Sequence, residues 1–155
     1  MFAVSVVLCV KVAANMDIIE LKQAYLNTNY TIYKNSIFEE GLILNINKVA
    51  IFKSALPELK EWAFITAWNP NSKELTPEEN KQRNSNLLDD IRSEGYISHL
   101  GSGISQDGNW SEDSFFIENV SKEEALVYAL KYEQCAFVYG KVNQMAELIW
   151  TSNCK

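Results

Sequence analysis

A strand-like run that leads into a sharply marked helix constrains this chain more than any other feature. The run from Trp62 to Trp68 is mainly aromatic and aliphatic, and the Asn-Pro-Asn-Ser stretch at 69–72 ends it with residues typical of turns. Thr76 then supplies a helix N-cap, Pro77 suits the first helical position, and Glu79 completes a capping box. The sequence therefore predicts a strand that is followed, after a short turn, by a capped helix.

The inward face of this helix carries polar side chains where a core helix usually carries aliphatic ones. Leu87 and Ile91 define that face, and steps of three or four residues back along it reach Asn80, Arg83 and Asn84. An unpaired amide in a protein interior costs about 1–3 kcal/mol, so these side chains need protein partners, water or a ligand. Either the first half of the helix extends beyond the sheet into water, or these residues belong to a binding site.

Charge and cysteine usage exclude several classes of function. The net charge of −6 disfavours nucleic-acid binding, because that affinity comes from clustered Lys and Arg side chains. Cys9, Cys135 and Cys154 are far apart and have no zinc-ligand spacing, which favours a reducing cytoplasm and a chain without a metal site or cofactor. We expect Cys135 to be a small buried apolar residue.

The first fifteen residues form a separate segment. The apolar run from Phe2 to Val10 is too short to span a bilayer, so no membrane partner is expected. A signal peptide is an alternative, although no basic residue precedes the run and Lys11 follows it. We expect residues 1–15 to be a leader outside the domain, residues 16–151 to be a single α+β domain, and residues 152–155 to be a polar tail. The leader is then an upstream start or an apolar segment on the surface.

The remaining patterns predict an α+β fold with a ferredoxin-like split βαβ core. The predicted elements are a helix at 17–27, a strand pair at 30–33 and 42–46, helical turns at 54–61, strands at 96–100 and 110–117, a helix beginning at Ser121, a strand at 135–139 and an edge strand at 145–150. From Ala63 onward this order is βαββαβ with one added C-terminal edge strand, preceded by an N-terminal helix and strand pair. Residues 101–109 are predicted to be a turn-rich connection.

Polar residues from several elements are expected to meet at one end of this sheet. The strand at 62–68 ends there, and the strand at 96–100 is expected to return beside it, because crossover connections join parallel strands. The strand at 110–117 begins at the same end, and the last core strand also begins there. The predicted site residues are Asn69, Asn80, Arg83, Asn84, Trp110, Glu112 and Gln134.

Several short motifs resemble a known family. They are the Thr-Ala-Trp-Asn-Pro stretch at 66–70, Glu79-Asn80 with Arg83-Asn84, the Trp-Ser-Glu-Asp-Ser stretch at 110–114, and the single Gln134. Together they resemble the bacterial family catalogued as domain of unknown function 3293, over roughly residues 21–150. The resemblance implies a bacterial origin and a domain start near Met16, and it implies no established activity.

Three functions are consistent with these residues. The first is binding of a small polar or anionic ligand, with amide side chains as hydrogen-bond partners, Trp68 or Trp110 as a flat wall, and Arg83 as a partner for a carboxylate or phosphate. The second is an enzyme that uses Glu112 as general acid or base. The third is an interaction module that forms a homodimer through the 145–150 edge strand, whose last two side chains would otherwise be exposed.

A purely structural interpretation competes with all three functions. In that interpretation Asn69 caps a turn, Arg83 pairs with Glu79 one helical turn away, and Trp110 fills the core. The single histidine, His99, lies in the middle of a predicted strand, where a packed or hydrogen-bonded core residue is the more common role.

Overall fold

An antiparallel sheet of seven strands organises residues 17–154, the part of the chain that this computed structural model describes. In chain order the elements are helix α1 (Ile18–Leu26), strands β1 (Thr28–Ile32), β2 (Leu42–Leu44) and β3 (Glu61–Ile65), a short 3₁₀ turn (Pro70–Ser72), helix α2 (Pro77–Ser93), strands β4 (Ser98–Ser105) and β5 (Ser111–Glu118), helix α3 (Lys122–Lys131), and strands β6 (Ala136–Lys141) and β7 (Glu147–Trp150). The predicted α+β class is confirmed.

The strand order differs from the expected one in the centre of the sheet. The order is β2-β1-β4-β5-β3-β6-β7, so β5 separates β3 from β4, and the expectation that β4 runs beside β3 is wrong. Consecutive strands that share a short connection usually pair, and β4 and β5 pair over seven positions. Because β3 and β4 are both antiparallel to β5, their ends still lie at the same end of the sheet. The ferredoxin-like assignment stays a prediction.

Each face of the sheet buries its own hydrophobic cluster. On one face, Leu87 and Ile91 of α2 pack with Ile65 and Phe115 of the sheet. The other face curls around a second cluster, in which the ring of Trp62 stacks on the ring of Phe116 at a centroid distance of 5.6 Å. Val49 forms an antiparallel bridge with Met145, which brings the chain after β2 to the opposite margin of the sheet and closes the curl.

The helix starts predicted at Thr76 and Ser121 are confirmed. The Thr76 side chain accepts a hydrogen bond from the backbone N–H of Glu79, and the Glu79 carboxylate accepts one from the Thr76 N–H, which completes the capping box. At the start of α3 the Ser121 side chain accepts a hydrogen bond from the Glu124 N–H. These caps satisfy backbone donors that have no partner within the helix.

Two local predictions are wrong. The segment predicted to be helical turns at 54–61 forms separate turns and ends in the first residue of β3, because Phe52 and Leu59 each anchor the chain in the curled core and a helix this short gains few hydrogen bonds. Residues 101–105 continue β4 instead of starting a loop. A Cβ atom on Gly101 would lie 2.2 Å from the Thr31 carbonyl oxygen, so this glycine permits close strand approach and does not mark a turn.

The edge strand β7 is present at the margin of the sheet, but its side chains are not exposed as expected. Ile149 and Trp150 are both half-buried. The ring of Trp150 meets the ring of Tyr25 edge-on at a centroid distance of 5.7 Å, because α1 packs against this margin. The homodimer through residues 145–150 stays a prediction. The exposure of Ile149 and Trp150, on which it was based, is not observed.

Cys135 is buried as expected, but it is not a free thiol, because a disulfide joins it to Cys154. Strand β7 runs antiparallel to β6 and returns the chain to the start of β6, where the Thr151 N–H donates to the Cys135 carbonyl. The tail that follows is thereby held against the domain. A disulfide removes the argument that the cysteine pattern favours a reducing compartment.

None of the helices within residues 17–154 is both long and apolar enough to cross a membrane. The leader predicted at 1–15, the start at Met16 and the third cysteine, Cys9, lie outside the described residues.

We expect Cys135 and Cys154 to resist alkylation in unreduced protein, and reduction to lower the free energy of unfolding. The two cysteines are 19 residues apart, and cross-linking a loop of that size stabilises by about 3 kcal/mol in the chain-entropy model. Peptide mass mapping after alkylation, and urea denaturation with and without dithiothreitol, measure both effects. Cys154→Ser should lose the same stability and no longer respond to reductant. Rapid alkylation of both thiols in unreduced native protein would contradict the bond.

Candidate functional site

A cavity of about 310 Å³ opens at the end of the sheet where β3 ends and where β5 and β6 begin. Its wall comes from α1, the segment between β3 and α2, the first turn of α2, and the starts of β5 and β6. Five of the seven predicted site residues line it: Asn69, Asn80, Trp110, Glu112 and Gln134. The structure therefore brings together side chains that are far apart in the sequence.

Glu112 is a half-buried ionisable residue at the inner end of this cavity. It lies on β5 opposite Gly103 of β4, and strand alternation puts it on the curled face with Ser114 and Phe116. Its Oε1 accepts a hydrogen bond of 3.2 Å from Asn69 Nδ2, and no other side-chain hydrogen bond of Glu112 occurs within the described residues. Burial raises the pKa of Glu112 to about 7, and the Asn69 bond offsets only part of this rise.

Asn69 is held in one orientation by three hydrogen bonds. Its backbone is left-handed, with φ of 47°, a conformation that Asn tolerates better than most residues. Its Oδ1 accepts from the Leu75 N–H at 3.0 Å and from Asn80 Nδ2 at 2.8 Å. Its own N–H donates to Asn80 Oδ1 at 2.8 Å. Because two donors occupy Oδ1, the amide nitrogen of Asn69 is directed at Glu112.

Arg83 and Asn84 do not line the cavity. Arg83 donates from Nε to the Ala67 carbonyl at 2.8 Å and from Nη2 to the Tyr132 carbonyl at 2.6 Å. Asn84 accepts from the Ala67 N–H at 2.8 Å and donates to the Asp113 carbonyl at 2.7 Å. These two side chains hold the irregular backbone that follows β3 through both polar atoms of the Asn84 amide and through Nε and Nη2 of Arg83.

The polar stripe of α2 is therefore not solvated, and its side chains bond to the protein itself. Asn80 is 1% exposed and Asn84 is 6% exposed, so the interpretation in which the helix extends into water is wrong. The expected pair between Arg83 and Glu79 is also absent, since Glu79 bonds Thr76 at the cap instead.

Aromatic side chains form much of the remaining wall. Trp68 and Trp110 line the cavity, and so does Tyr25 of α1, which sequence reasoning did not include. Burial and the nearby Glu112 carboxylate raise the pKa of the Tyr25 phenol well above its ordinary value, so the phenol is neutral. The amphipathic pattern of α1 predicted a helix but gave no signal of which side chain reaches the cavity.

Gln134 is buried between the wall and the protein interior. Its Nε2 donates to the Trp68 and Tyr132 carbonyls, each at 3.1 Å. Its Oε1 accepts no hydrogen bond from the part of the chain that the structure describes. The side chain thus has one acceptor left for a group inside the cavity.

A second, inner cavity of about 50 Å³ lies beside the first and shares part of its wall. Tyr25, Trp110, Glu112 and Gln134 line both spaces, and the inner one extends towards Tyr30 on the curled face of the sheet. A water molecule occupies about 30 Å³ in the liquid, so the inner space has room for a small polar group. Glu112 therefore stands at the junction of the two cavities.

His99 lies outside this site. His99 Nε2 lies 2.5 Å from Glu118 Oε1, and its ring meets Phe38 edge-on at a centroid distance of 5.1 Å. The predicted role of His99 as a hydrogen-bonded core residue is confirmed. Within residues 17–154, no group of three or more His, Cys, Asp or Glu side chains is arranged to hold a metal ion.

Residues 65–137 match the model of a family described as "Protein of unknown function (DUF3293)". The match confirms the family resemblance over the segment from the end of β3 to the start of β6, which contains all seven predicted site residues. No curated protein and no solved structure gives a significant match to the chain. The family description assigns no activity.

Asn84→Ala should lower the free energy of unfolding by about 1–3 kcal/mol, because it leaves the buried Ala67 N–H without its acceptor. It also removes one of the two side-chain donors to the Asp113 carbonyl, which keeps its hydrogen bond from the Thr66 hydroxyl. Urea denaturation measures the loss. Gln82→Ala is the matched control, since Gln82 is exposed on the same helix and bonds only Asn86 among the described residues, so its effect should stay within about 0.5 kcal/mol. Equal stability of the two variants would show that Asn84 does not hold this backbone.

Glu112→Gln should make stability less dependent on pH and raise it at pH 8. The folded pKa of about 7 lies above the ordinary 4.5, so the folded state keeps its proton where the unfolded state has lost it. The stabilising contribution is complete below pH 4.5 and is lost as the pH rises through 7. Wild type should lose about 2 kcal/mol relative to Glu112→Gln between pH 5 and pH 8.

Urea denaturation at a series of pH values checks this expectation. Asp113→Asn removes a carboxylate from the adjacent, exposed position and should follow wild type across the range. Parallel curves for wild type and Glu112→Gln would mean that Glu112 is not buried as described.

Proposed function

We propose that this protein binds a small polar ligand in the cavity at the end of the sheet, with Glu112 as the main polar contact. One observation carries the proposal: a carboxyl group stands at the inner end of a cavity of about 310 Å³, with Oε1 fixed by Asn69 and Oε2 without a hydrogen bond in the described residues. This volume is at the lower end of the range found for small-molecule sites.

The other contacts follow from which polar groups remain available. Gln134 Oε1 is an acceptor on the same wall, and Trp68, Trp110 and Tyr25 provide flat apolar surface. Asn69 acts by orienting Glu112. The amides of Asn80 and Asn84 and the guanidinium of Arg83 support this arrangement from behind, since their groups already bond to the protein.

Our proposal does not extend to an anionic ligand, which the sequence suggested through Arg83. The Arg83 guanidinium bonds two backbone carbonyls outside the cavity. Among the described residues that line the cavity, the charged side chains are Glu74 and Glu112, and none is Lys or Arg. A negative ligand would therefore meet negative wall charges.

A second candidate is an enzyme in which Glu112 transfers a proton. Burial raises the pKa of Glu112 to about 7, and a general acid or base works best when its pKa lies near the working pH. Chemical conversion of a bound compound by wild type, and its loss in Glu112→Gln with binding retained, would favour catalysis over binding alone.

A fragment screen by ¹⁵N NMR tests the binding proposal. Small neutral or cationic fragments should shift the backbone amides of Asn69, Glu112 and Gln134 together, with dissociation constants of about 0.1–1 mM, as is typical of ligands with about ten heavy atoms. Ala24 lines the cavity from α1, so Ala24→Phe should fill the space and abolish these shifts.

Gln23→Phe is the matched control, because it adds the same ring at an exposed neighbouring position outside the cavity and should keep the shifts. Shifts that survive Ala24→Phe, or a wild-type protein that responds to no fragment at millimolar concentration, would refute binding at this cavity.

A further inference from the structure

The cavity combines negative charge with available hydrogen-bond acceptors. Glu112 lies at its inner end and Glu74 is an exposed carboxyl at its rim. Glu112 Oε2 and Gln134 Oε1 accept no hydrogen bond from the described residues, whereas Asn69 occupies Glu112 Oε1. Two open acceptors favour a ligand group that carries several N–H donors.

The aromatic wall favours the same kind of group. Tyr25, Trp68 and Trp110 line the cavity that contains the Glu112 carboxylate. The faces of such rings carry negative partial charge and attract cations, more strongly when water is excluded. The net charge of −6 adds a field that concentrates cations near the molecule.

We propose that the ligand is a small organic cation, a primary or secondary amine in its ammonium form, whose N–H groups donate to Glu112 and Gln134 while its apolar part lies against the aromatic wall. This inference rests on the proposed function and names the ligand class for the same cavity.

The sizes of the two cavities orient the ligand. The inner cavity of about 50 Å³ has room for little more than the ammonium end or a water molecule, whereas the outer one of about 310 Å³ accommodates the carbon skeleton. Glu112 lines both cavities. The ammonium group therefore meets Glu112 where the two cavities adjoin, with the skeleton in the larger one.

Binding of a cation should depend on the ionisation of Glu112. The groups that face Glu112 from other elements are Tyr25 of α1, Tyr30 of β1 and the rim carboxyl Glu74. Burial keeps the pKa of both tyrosines well above the ordinary value, so they stay neutral, and Cys135 is bonded to Cys154. Ionisation of Glu112, with its pKa raised to about 7 by burial, should therefore make affinity rise with pH.

The test compares three probes that share one ring: benzylammonium, benzyl alcohol and benzoate. Tryptophan fluorescence and ¹⁵N NMR titration measure their dissociation constants at pH 5.5 and pH 8. In wild type at pH 8, benzylammonium should bind about tenfold or more tightly than the other two. Its affinity should fall about tenfold or more at pH 5.5, where a group with a pKa of about 7 is largely protonated.

Two variants separate the contact from general charge effects. Glu112→Gln should remove the preference for benzylammonium and its pH dependence, and Asp113→Asn, which removes the same charge on the exposed neighbour, should keep both. Tighter binding of benzyl alcohol or benzoate at the cavity would overturn the ammonium inference and leave the binding proposal intact. Failure of all three probes would overturn the inference, and failure of the whole fragment screen as well would overturn the proposed function.

Discussion

The reciprocal amide pair between Asn69 and Asn80 is the interaction on which the candidate site depends. The Asn80 side chain accepts from the Asn69 backbone N–H and donates to the Asn69 side-chain oxygen, both at 2.8 Å. Asn80 is 1% exposed, so water cannot replace these bonds without a rearrangement. The pair fixes the left-handed turn after β3 and the first turn of α2 relative to one another. It also leaves the Asn69 amide nitrogen only one direction, towards Glu112.

The same logic explains the polar face of α2. A regular strand satisfies its own backbone through the sheet, but the chain between Ile65 and Asn69 leaves the sheet while still buried. Arg83 and Asn84 supply the missing partners by bonding Ala67, Asp113 and Tyr132 through their backbone groups. A stripe of Asn and Arg on this inward helix face thus supplies hydrogen-bond partners to irregular buried backbone nearby.

Local signals predicted much of this arrangement, and long-range pairing accounts for what they missed. The capping box at Thr76, the strand before it and the meeting of Asn69, Glu112 and Gln134 at one end all follow from short motifs and chain direction. Tyr25 reaches the cavity only because the sheet curls and brings α1 onto its margin, which no local pattern encodes. The Cys135–Cys154 bond likewise needs β7 to return along β6. The predicted turn at Gly101 is wrong because glycine is common in turns and also where two strands approach closely, and the sequence does not distinguish the two roles.

The structure offers no stabilising reason for a glutamate at position 112. The residue lies on the curled face of β5 in line with Ser114 and Phe116, where an apolar side chain would remove the cost of burying a carboxyl group. Asn69 supplies one hydrogen bond, and the pKa raised to about 7 means that folding disfavours the ionised form. Groups that lower stability while lining a cavity are characteristic of functional sites, because folding alone would not retain them. The amide support behind Asn69 thus holds an otherwise unfavourable carboxyl group in the cavity wall, with one oxygen bonded to Asn69 and the other without a hydrogen bond from the described residues.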